Sequence, residues 1–167
     1  GMGEAPWRVH TVGFPAIDLI QDGNYATSNE LVDIYELDLA KPVILFTQHS
    51  VTTEFHEAAN QIKPALFALK KLALAGAQII ITYPNNDAGG RKIIDTINDF
   101  SRSDFLGIKN IQIYSSLGRY NYHGILALAS NPENQICCVG NSSSGIKETP
   151  SIWLPNCKYW ITPRGST

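Results

Sequence analysis

The sequence has little excess charge of either sign and no long hydrophobic run. Its 167 residues include 13 lysines and arginines against 15 aspartates and glutamates, so the formal net charge is −2. A chain this close to neutral lacks the basic surface with which proteins bind nucleic acid or an anionic membrane. No apolar run approaches the roughly 20 residues that span a bilayer. We therefore expect neither nucleic acid nor a membrane as a partner.

Cysteine is also scarce, with three residues in the chain. Cys137 and Cys138 are adjacent within an apolar run, and the spacing to Cys157 is not that of a metal site. The first residues contain no basic region followed by an apolar segment, so a secretory signal is not expected there. These features predict reduced core thiols in a cytoplasmic protein without a bound metal.

Several nucleotide and catalytic motifs are missing as well. No Gly-x-Gly-x-x-Gly occurs, and no Gly-Lys-Ser/Thr follows Gly89 and Gly90, so neither a nicotinamide cofactor nor a P-loop is indicated. The serine-rich segment 140–145 does not fit Gly-x-Ser-x-Gly in either register, which argues against a serine hydrolase. We expect no cofactor.

Apolar runs alternate with segments of helical periodicity along most of the chain. Strands are predicted at 43–46, 78–83, 108–114 and 135–139, with short strands at 7–13, 151–154 and 159–161. Helices are predicted at 58–74, 92–100 and 120–129, with shorter ones at 16–20 and 31–37, the last behind capping residues 27–30. This alternation predicts βαβ units with right-handed crossovers. The expected fold is a three-layer, Rossmann-like α/β domain with a parallel sheet, covering residues 1–167 as a single unit.

Polar clusters follow each of the four longer predicted strands, at 47–54, 84–91, 115–119 and 140–148. In open parallel sheets, ligands bind beyond the carboxyl ends of the strands. The coincidence of these clusters with the strand ends therefore predicts a binding site at that edge.

The cluster at 140–148 passes from a strand through glycine and hydroxyl residues into a predicted short helix. Backbone N–H groups and the positive end of a helix dipole meet at such a turn and favour an anion, usually phosphate. This makes Ser142 and Ser143 candidate phosphate ligands, although a polar turn that only caps the helix is the alternative. Glu148 could accept hydrogen bonds from both hydroxyls of a ribose, or could simply favour the helix dipole.

The other clusters contain groups of similar character. His49 could donate to a phosphate or move a proton, or could be an ordinary loop histidine. Asn85 and its neighbour could bind a base or a sugar edge, and Asp87 is a candidate helix cap, although a plain capped turn explains both. Arg119 suits a phosphate or carboxylate, or is a solvated charge at a helix start.

Four segments together resemble one family. Residues 48–54, 83–91, 116–119 and 139–150 are similar, in this order, to the C-terminal lobe of hydrolysing UDP-N-acetylglucosamine 2-epimerases, which act in sialic acid and nonulosonate biosynthesis. Residues 13–18 resemble the segment by which that family's chain enters this lobe. The resemblance implies a GT-B-like architecture in which this lobe binds UDP or a UDP-sugar.

The resemblance also implies roles for individual residues. His49 would contact the diphosphate near the reacting sugar, and Glu148 would hold the ribose hydroxyls. Phosphates and the nucleotide pocket would involve Ser142, Ser143, Asn85 and Asp87, and Arg164 would match an arginine near the cleft. The implied reaction removes the proton from sugar C2, expels UDP to leave a glycal, and adds water to give N-acetylmannosamine.

The chain also departs from the family's pattern. The acidic residues that transfer the proton belong to an N-terminal lobe that this sequence does not contain, and Ser50 stands in place of a common proline. The spacing before Arg164 is longer than usual. We therefore expect a truncated lobe that binds UDP weakly and turns over nothing alone, with the other lobe or a second copy as a possible partner. Trp153, Tyr159 and Trp160 could promote such association. A non-catalytic nucleotide-sugar-binding lobe and a lobe of a GT-B glycosyltransferase are the alternatives.

Overall fold

The computed structural model describes residues 3–148 and 156–158. Its helices are α1 (Pro15–Gln21), α2 (Ser28–Tyr35), α3 (Ala58–Leu74), α4 (Gly90–Arg102), α5 (Gly118–Ala127) and α6 (Ser144–Lys147). Its strands are β1 (Val43–Thr47), β2 (Gln78–Thr82), β3 (Ile111–Tyr114), β4 (Ile136–Gly140) and β5 (Asn156–Lys158). Short 3-10 helices occupy Pro6–Arg8, Thr52–Glu57 and Leu128–Ser130.

The five strands form one parallel sheet in the order β3-β2-β1-β4-β5. The chain moves outward from β1 to β3 and then returns to place β4 on the other side of β1. Thr47, at the end of β1, is paired with Thr82 of β2 and with Gly140 of β4. The direction of winding reverses between β1 and β4, which is where ligands bind in doubly wound sheets. The predicted Rossmann-like fold with a parallel sheet is confirmed.

Buried side chains lie on both faces of the sheet. One face packs against α1, α2 and α5, with Leu31 and Leu126 fully buried. The other packs against α3 and α4, with Ile62 and Ile97 in its core. Because both faces are covered, β1 and β2 are continuous apolar runs rather than alternating ones.

The predicted element boundaries agree closely with the structure in the interior of the chain. Helix α3 has the predicted bounds, and the chain turns after it at Gly76, whose φ of 102° suits glycine. Strand β3 begins three residues later than predicted, and α4 and α5 begin two residues earlier. Such differences are usual where a helix or strand frays.

The strand predicted at 7–13 is wrong. The structure has a 3-10 helix at Pro6–Arg8, and residues 9–14 have no regular secondary structure. Trp7 and Val12 are 77% and 76% exposed, so the apolar pattern there meets no neighbouring strand. The strands predicted at 151–154 and 159–161 lie outside the described residues. Strand β5 falls between them, where the polar residues Asn156 and Lys158 gave no strand signal.

A groove of about 340 Å³ runs beside α3 and has an almost wholly apolar lining that includes Phe46, Leu69, Leu72 and Val139. Among the helices in the described ranges, none combines the length and apolar character needed to cross a bilayer.

Candidate functional site

A cavity of about 440 Å³ opens at the carboxyl ends of β1, β2, β3 and β4. This volume lies within the range of small-molecule sites. Five parts of the chain line it: Phe14 and Ala16; Thr47 and His49; Thr82 and Tyr83; residues 115–119 with Tyr122 and His123; and Ser142, Ser143, Ser144, Lys147 and Glu148. Its lining therefore draws on three of the four polar clusters that the sequence places at strand ends, whereas the chain around the end of β2 contributes Thr82 and Tyr83 and no residue of the cluster at 84–91.

Asn141 joins the loops that follow β1 and β4. The backbone N–H of His49 donates to Asn141 Oδ1 at 2.7 Å, and Asn141 Nδ2 donates to the His49 carbonyl at 2.9 Å. The amide thus pairs with the backbone of His49 as another strand would, across 92 positions of sequence. This pair holds the two loops together at the switch point of the sheet.

Gly140 makes that close approach possible. A Cβ atom at this position would lie 1.8 Å from the Thr47 carbonyl oxygen, and its φ is 142°. Only glycine avoids both the collision and the strain of a positive φ. The close approach of the two strands therefore requires glycine at the end of β4, directly before Asn141.

His49 lines the cavity, and Asn85 contacts its Nδ1 atom. The backbone N–H of Asn85 donates to His49 Nδ1 at 3.2 Å, and Asn85 Oδ1 lies 3.1 Å from the same atom. An unprotonated Nδ1 accepts from the backbone N–H, whereas a protonated Nδ1 donates to the amide oxygen, so Asn85 has a partner atom for either tautomer of the ring. Asn85 therefore orients the imidazole and does not itself line the cavity.

The loop after β2 is held against the loop after β1. Ser50 Oγ donates to the Ala88 carbonyl, and a Cβ at Gly89 would lie 3.0 Å from the Phe55 carbonyl oxygen. The prediction that Asp87 caps the next helix is wrong, since α4 begins behind Gly89 in a left-handed conformation with no side-chain cap. Asp87 is exposed and lies outside the cavity lining.

The serines after β4 line the cavity next to α5. Ser142 Oγ accepts from the backbone N–H of Ser144 at 3.4 Å, and Ser143 precedes α6 without a side-chain cap. Helix α6 has only four residues, so its dipole contributes little to anion binding. A phosphate role for Ser142 and Ser143 would therefore depend on their hydroxyls and on the loop backbone.

A chain of hydrogen bonds leads from α5 to Glu148. Ser144 Oγ donates to Glu148 Oε2 at 2.8 Å, and Tyr122 OH lies 2.8 Å from the same serine oxygen. Since the single serine proton goes to the carboxylate, the tyrosine is the donor to the serine. Burial raises the pKa of Tyr122, so its hydroxyl keeps the proton that this arrangement needs.

His123 was not among the sequence-predicted site residues. Its side chain is 3% exposed, and Nε2 lies 3.5 Å from Glu148 Oε2. Burial lowers the pKa of His123, and Arg119 lowers it further, while Glu148 acts in the opposite direction. The sequence offered one signal for it, because His123 is a polar residue directly before Gly124, Ile125 and Leu126 on the face of α5 that is buried.

Two cations and one carboxylate border the cavity. The Arg119 guanidinium donates to the Asn24 carbonyl at 2.7 Å and to Asn24 Oδ1 at 3.2 Å. Lys147 Nζ lies 5.4 Å from the centre of the Phe14 ring, within cation–π range. Together with Glu148, which also lines the cavity, these cations suit an anionic ligand that carries hydroxyl groups.

The predicted site residues thus fall into three groups. His49, Ser142, Ser143 and Glu148 line one cavity, whereas Asn85 and Asp87 do not line it. Arg164 lies outside the described residues. Within the ranges that are described, no group of three or more His, Cys, Asp or Glu side chains is arranged to hold a metal ion.

Comparison with known proteins gives a family match over most of the chain. A family model described as UDP-N-acetylglucosamine 2-epimerase matches residues 1–159. The UDP-N-acetylglucosamine 2-epimerase of Neisseria meningitidis serogroup B is 30% identical over 157 residues, which are 93% of this chain and 37% of that protein.

Two further relatives match this chain over nearly the same length. The GDP/UDP-N,N'-diacetylbacillosamine 2-epimerase (hydrolyzing) of Campylobacter jejuni is 29% identical over 155 residues, 92% of this chain and 37% of that protein. The UDP-N,N'-diacetylbacillosamine 2-epimerase (hydrolyzing) of Legionella pneumophila is 30% identical over 154 residues, again 92% of this chain and 37% of that protein. The chain spans little more than a third of the length of these relatives.

Proposed function

We propose that this chain, which belongs to the UDP-N-acetylglucosamine 2-epimerase family, is the UDP-binding lobe of a hydrolysing 2-epimerase. The observation that supports this most is the composition of the cavity at the switch point. It combines serine hydroxyls, Arg119 and Lys147 with the carboxylate of Glu148. The hydroxyls and the two cations suit a diphosphate, and the carboxylate suits the two hydroxyls of a ribose.

In this proposal the lobe holds the leaving group of the reaction. A proton leaves C2 of the sugar, the bond from C1 to the UDP oxygen breaks, and a glycal forms. Water then adds across the double bond, with hydroxyl at C1 and hydrogen at C2, to give N-acetylmannosamine from UDP-N-acetylglucosamine. Negative charge grows on the departing diphosphate, so donors placed around it stabilise the transition state.

His49 fits the place where the diphosphate joins the sugar. In the tautomer whose Nδ1 accepts from the Asn85 backbone, the proton on Nε2 would be free to donate to the diphosphate. Arg119 and Lys147, which also line the cavity, would add positive charge. These groups bind and polarise the leaving group, and the proton transfer at C2 is proposed to need the rest of a longer protein.

Calorimetric titration of UDP into the 167-residue chain tests the proposal. We expect weak binding that is measurable at millimolar UDP, with no N-acetylmannosamine formed when UDP-N-acetylglucosamine is supplied. Absence of binding heat at millimolar UDP in a sample that melts cooperatively would contradict it.

A pair of lysine variants supplies the matched control. Lys147→Ala removes a cation from the cavity, and Lys109→Ala removes an exposed cation outside its lining. We expect Lys147→Ala to weaken UDP binding about fivefold, as for loss of a partly exposed ion pair of ~1 kcal/mol. Equal weakening in both variants would indicate a general charge effect rather than a site.

The sugar is proposed from the relatives and can be tested separately. Two relatives have names that specify N,N'-diacetylbacillosamine, and the third specifies N-acetylglucosamine. A full-length protein containing this lobe should therefore release UDP from one of the two UDP-sugars without an added acceptor. Release from neither would favour a non-catalytic nucleotide-sugar-binding lobe.

A further inference from the structure

His123 lies on the wall of the cavity in direct contact with Glu148, and no role follows for it from the proposed function. The residue is 2% exposed overall, which is unusual for an imidazole in the middle of an apolar helix face. Its Nε2 atom lies 3.5 Å from Glu148 Oε2. The distance is at the outer limit of a hydrogen bond, so this contact is weaker than the one that Ser144 makes to the same oxygen.

The surroundings of His123 favour the neutral ring with its proton on Nε2. Its Nδ1 atom is buried and has no hydrogen-bond partner in the described part of the chain. A proton on Nδ1 would create a buried N–H without an acceptor, which costs more than an unpaired ring lone pair. Arg119, one turn earlier on the same helix, also opposes a positive charge, and only Glu148 favours it.

Both protein contacts to the Glu148 carboxylate go to the same oxygen. Ser144 Oγ donates to Oε2 at 2.8 Å, and His123 Nε2 approaches it at 3.5 Å. Among the described residues, Oε1 accepts no hydrogen bond, and the side chain of Glu148 lines the cavity. One oxygen is therefore engaged by the protein while the other remains available to a ligand.

We propose that His123 is a positioning residue, which holds Glu148 Oε2 from behind so that the carboxylate presents Oε1 to the vicinal hydroxyls of a ribonucleotide. This inference rests on the proposed function, because it takes the cavity to be the UDP site. It adds that selection of ribose over 2′-deoxyribose depends on a buried histidine that does not touch the ligand.

The test compares UDP with 2′-deoxyuridine diphosphate on three forms of the chain. His123→Leu removes the Nε2 donor and puts an apolar side chain of similar bulk in its place. His123→Gln keeps a neutral N–H donor at about the reach of Nε2. Calorimetry gives the ratio of the two affinities for each form, and thermal melting shows whether each variant folds.

The unaltered chain should prefer UDP by about tenfold, as expected for one hydrogen bond to a charged group. His123→Leu should reduce the preference to about threefold or less, because a freed carboxylate makes the same bond less well. His123→Gln should keep most of it. Melting temperatures should not fall in His123→Leu, since the substitution removes a buried polar group with an unpaired atom.

Each result decides between distinct conclusions. If UDP binds and His123→Leu keeps the full preference for UDP, His123 does not position Glu148 and the inference is wrong while the proposed function stands. If His123→Gln loses the preference for UDP as completely as His123→Leu, a donor at this position does not hold Glu148, and the inference is wrong. If the unaltered, folded chain binds neither nucleotide, the proposed function fails and the inference with it.

Discussion

Gly140 shows how a missing side chain brings two distant loops together. Its neighbour Asn141 reaches the backbone of His49 only because β4 approaches β1 at the Thr47 carbonyl without a Cβ between them. Any larger residue would separate the strands where the cavity begins, so the glycine acts on the site as well as on the fold.

We expect Gly140→Ala to destabilise the chain by roughly 3 kcal/mol or more, from the collision with Thr47 added to the strain of a positive φ. Gly107→Ala is the matched control, since Gly107 also has a positive φ of 81° but nothing within 4 Å of its Cβ position. Urea unfolding measures both. Equal losses would show that strain alone matters and that the close approach of the strands does not.

His123 predicts a pH dependence of stability. Burial lowers the pKa of its imidazole in the folded chain, and the groups facing it are Glu148, Arg119 and Tyr122. The unfolded chain therefore takes up the proton first, near the ordinary value of about 6.5. The stability that accompanies the neutral ring is fully present above that pH and is lost as the pH falls below it.

The comparison of the unaltered chain with His123→Leu isolates this effect. As the pH falls below about 6.5, the unaltered chain should lose up to ~1.4 kcal/mol per pH unit relative to the variant. Urea unfolding at pH 7.5 and pH 5.5 gives the two differences in free energy. A constant difference between the two pH values would mean that His123 titrates normally in the fold.

The start of helix α2 is determined by residues that are close together in the sequence. Thr27 and Glu30 form a capping box: Thr27 Oγ1 accepts from the Glu30 backbone N–H at 3.4 Å, and Glu30 Oε2 accepts from the Thr27 N–H at 2.7 Å. The hydrogen bonds from Thr27 lower the pKa of the Glu30 carboxyl. The cap fixes the start of the helix that carries Leu31 and Tyr35 into the core.

Thr27→Ala should therefore cost about 1 kcal/mol of unfolding free energy, the usual effect of losing an N-cap side chain. Ser28→Ala, at the exposed first position of the same helix, should change stability by less than ~0.5 kcal/mol. The difference between the two urea midpoints is the measurement. A larger effect from Ser28→Ala would show that the capping box does not define the start of α2.

The start of α4 shows where local sequence misleads. Asp87 has the chemistry of an N-cap, yet the helix begins two residues later behind Gly89. The pair of glycines is required there because Gly89 packs against the Phe55 backbone and Gly90 against the Asn85 carbonyl. Contacts with another loop, rather than the preference of one aspartate, decide where this helix begins.

The whole molecule is two half-cores that share one sheet. Leu126 belongs to the side of α2 and α5, and Ile62 to the side of α3 and α4, and both are fully buried. Since the strands between them are common to both sides, loss of packing on one face should weaken the other. The molecule should therefore unfold as one unit.

Leu126→Ala and Ile62→Ala should each lower stability by about 2–5 kcal/mol. In each variant, the far-UV and near-UV circular dichroism transitions should still coincide. Separate transitions in either variant would show that the two faces unfold independently and that the sheet does not couple them.

The sequence by itself determined the order of helices and strands, the fold class and the family, and it placed the polar clusters at strand ends. These features depend on side-chain periodicity and on short motifs, which act within a few residues. The wrong strand at 7–13 marks the limit of such signals, because a strand also needs a neighbour. The role of each predicted site residue stays a prediction.

Only the tertiary structure decided which clusters meet and how. The placement of β4 beside β1 brings Asn141 to His49, and α5 brings His123 to Glu148. It also turns Asn85 toward the imidazole and leaves Asp87 in solvent. Strand order and the burial of a polar group depend on how all the elements pack, and no local pattern in the chain encodes them.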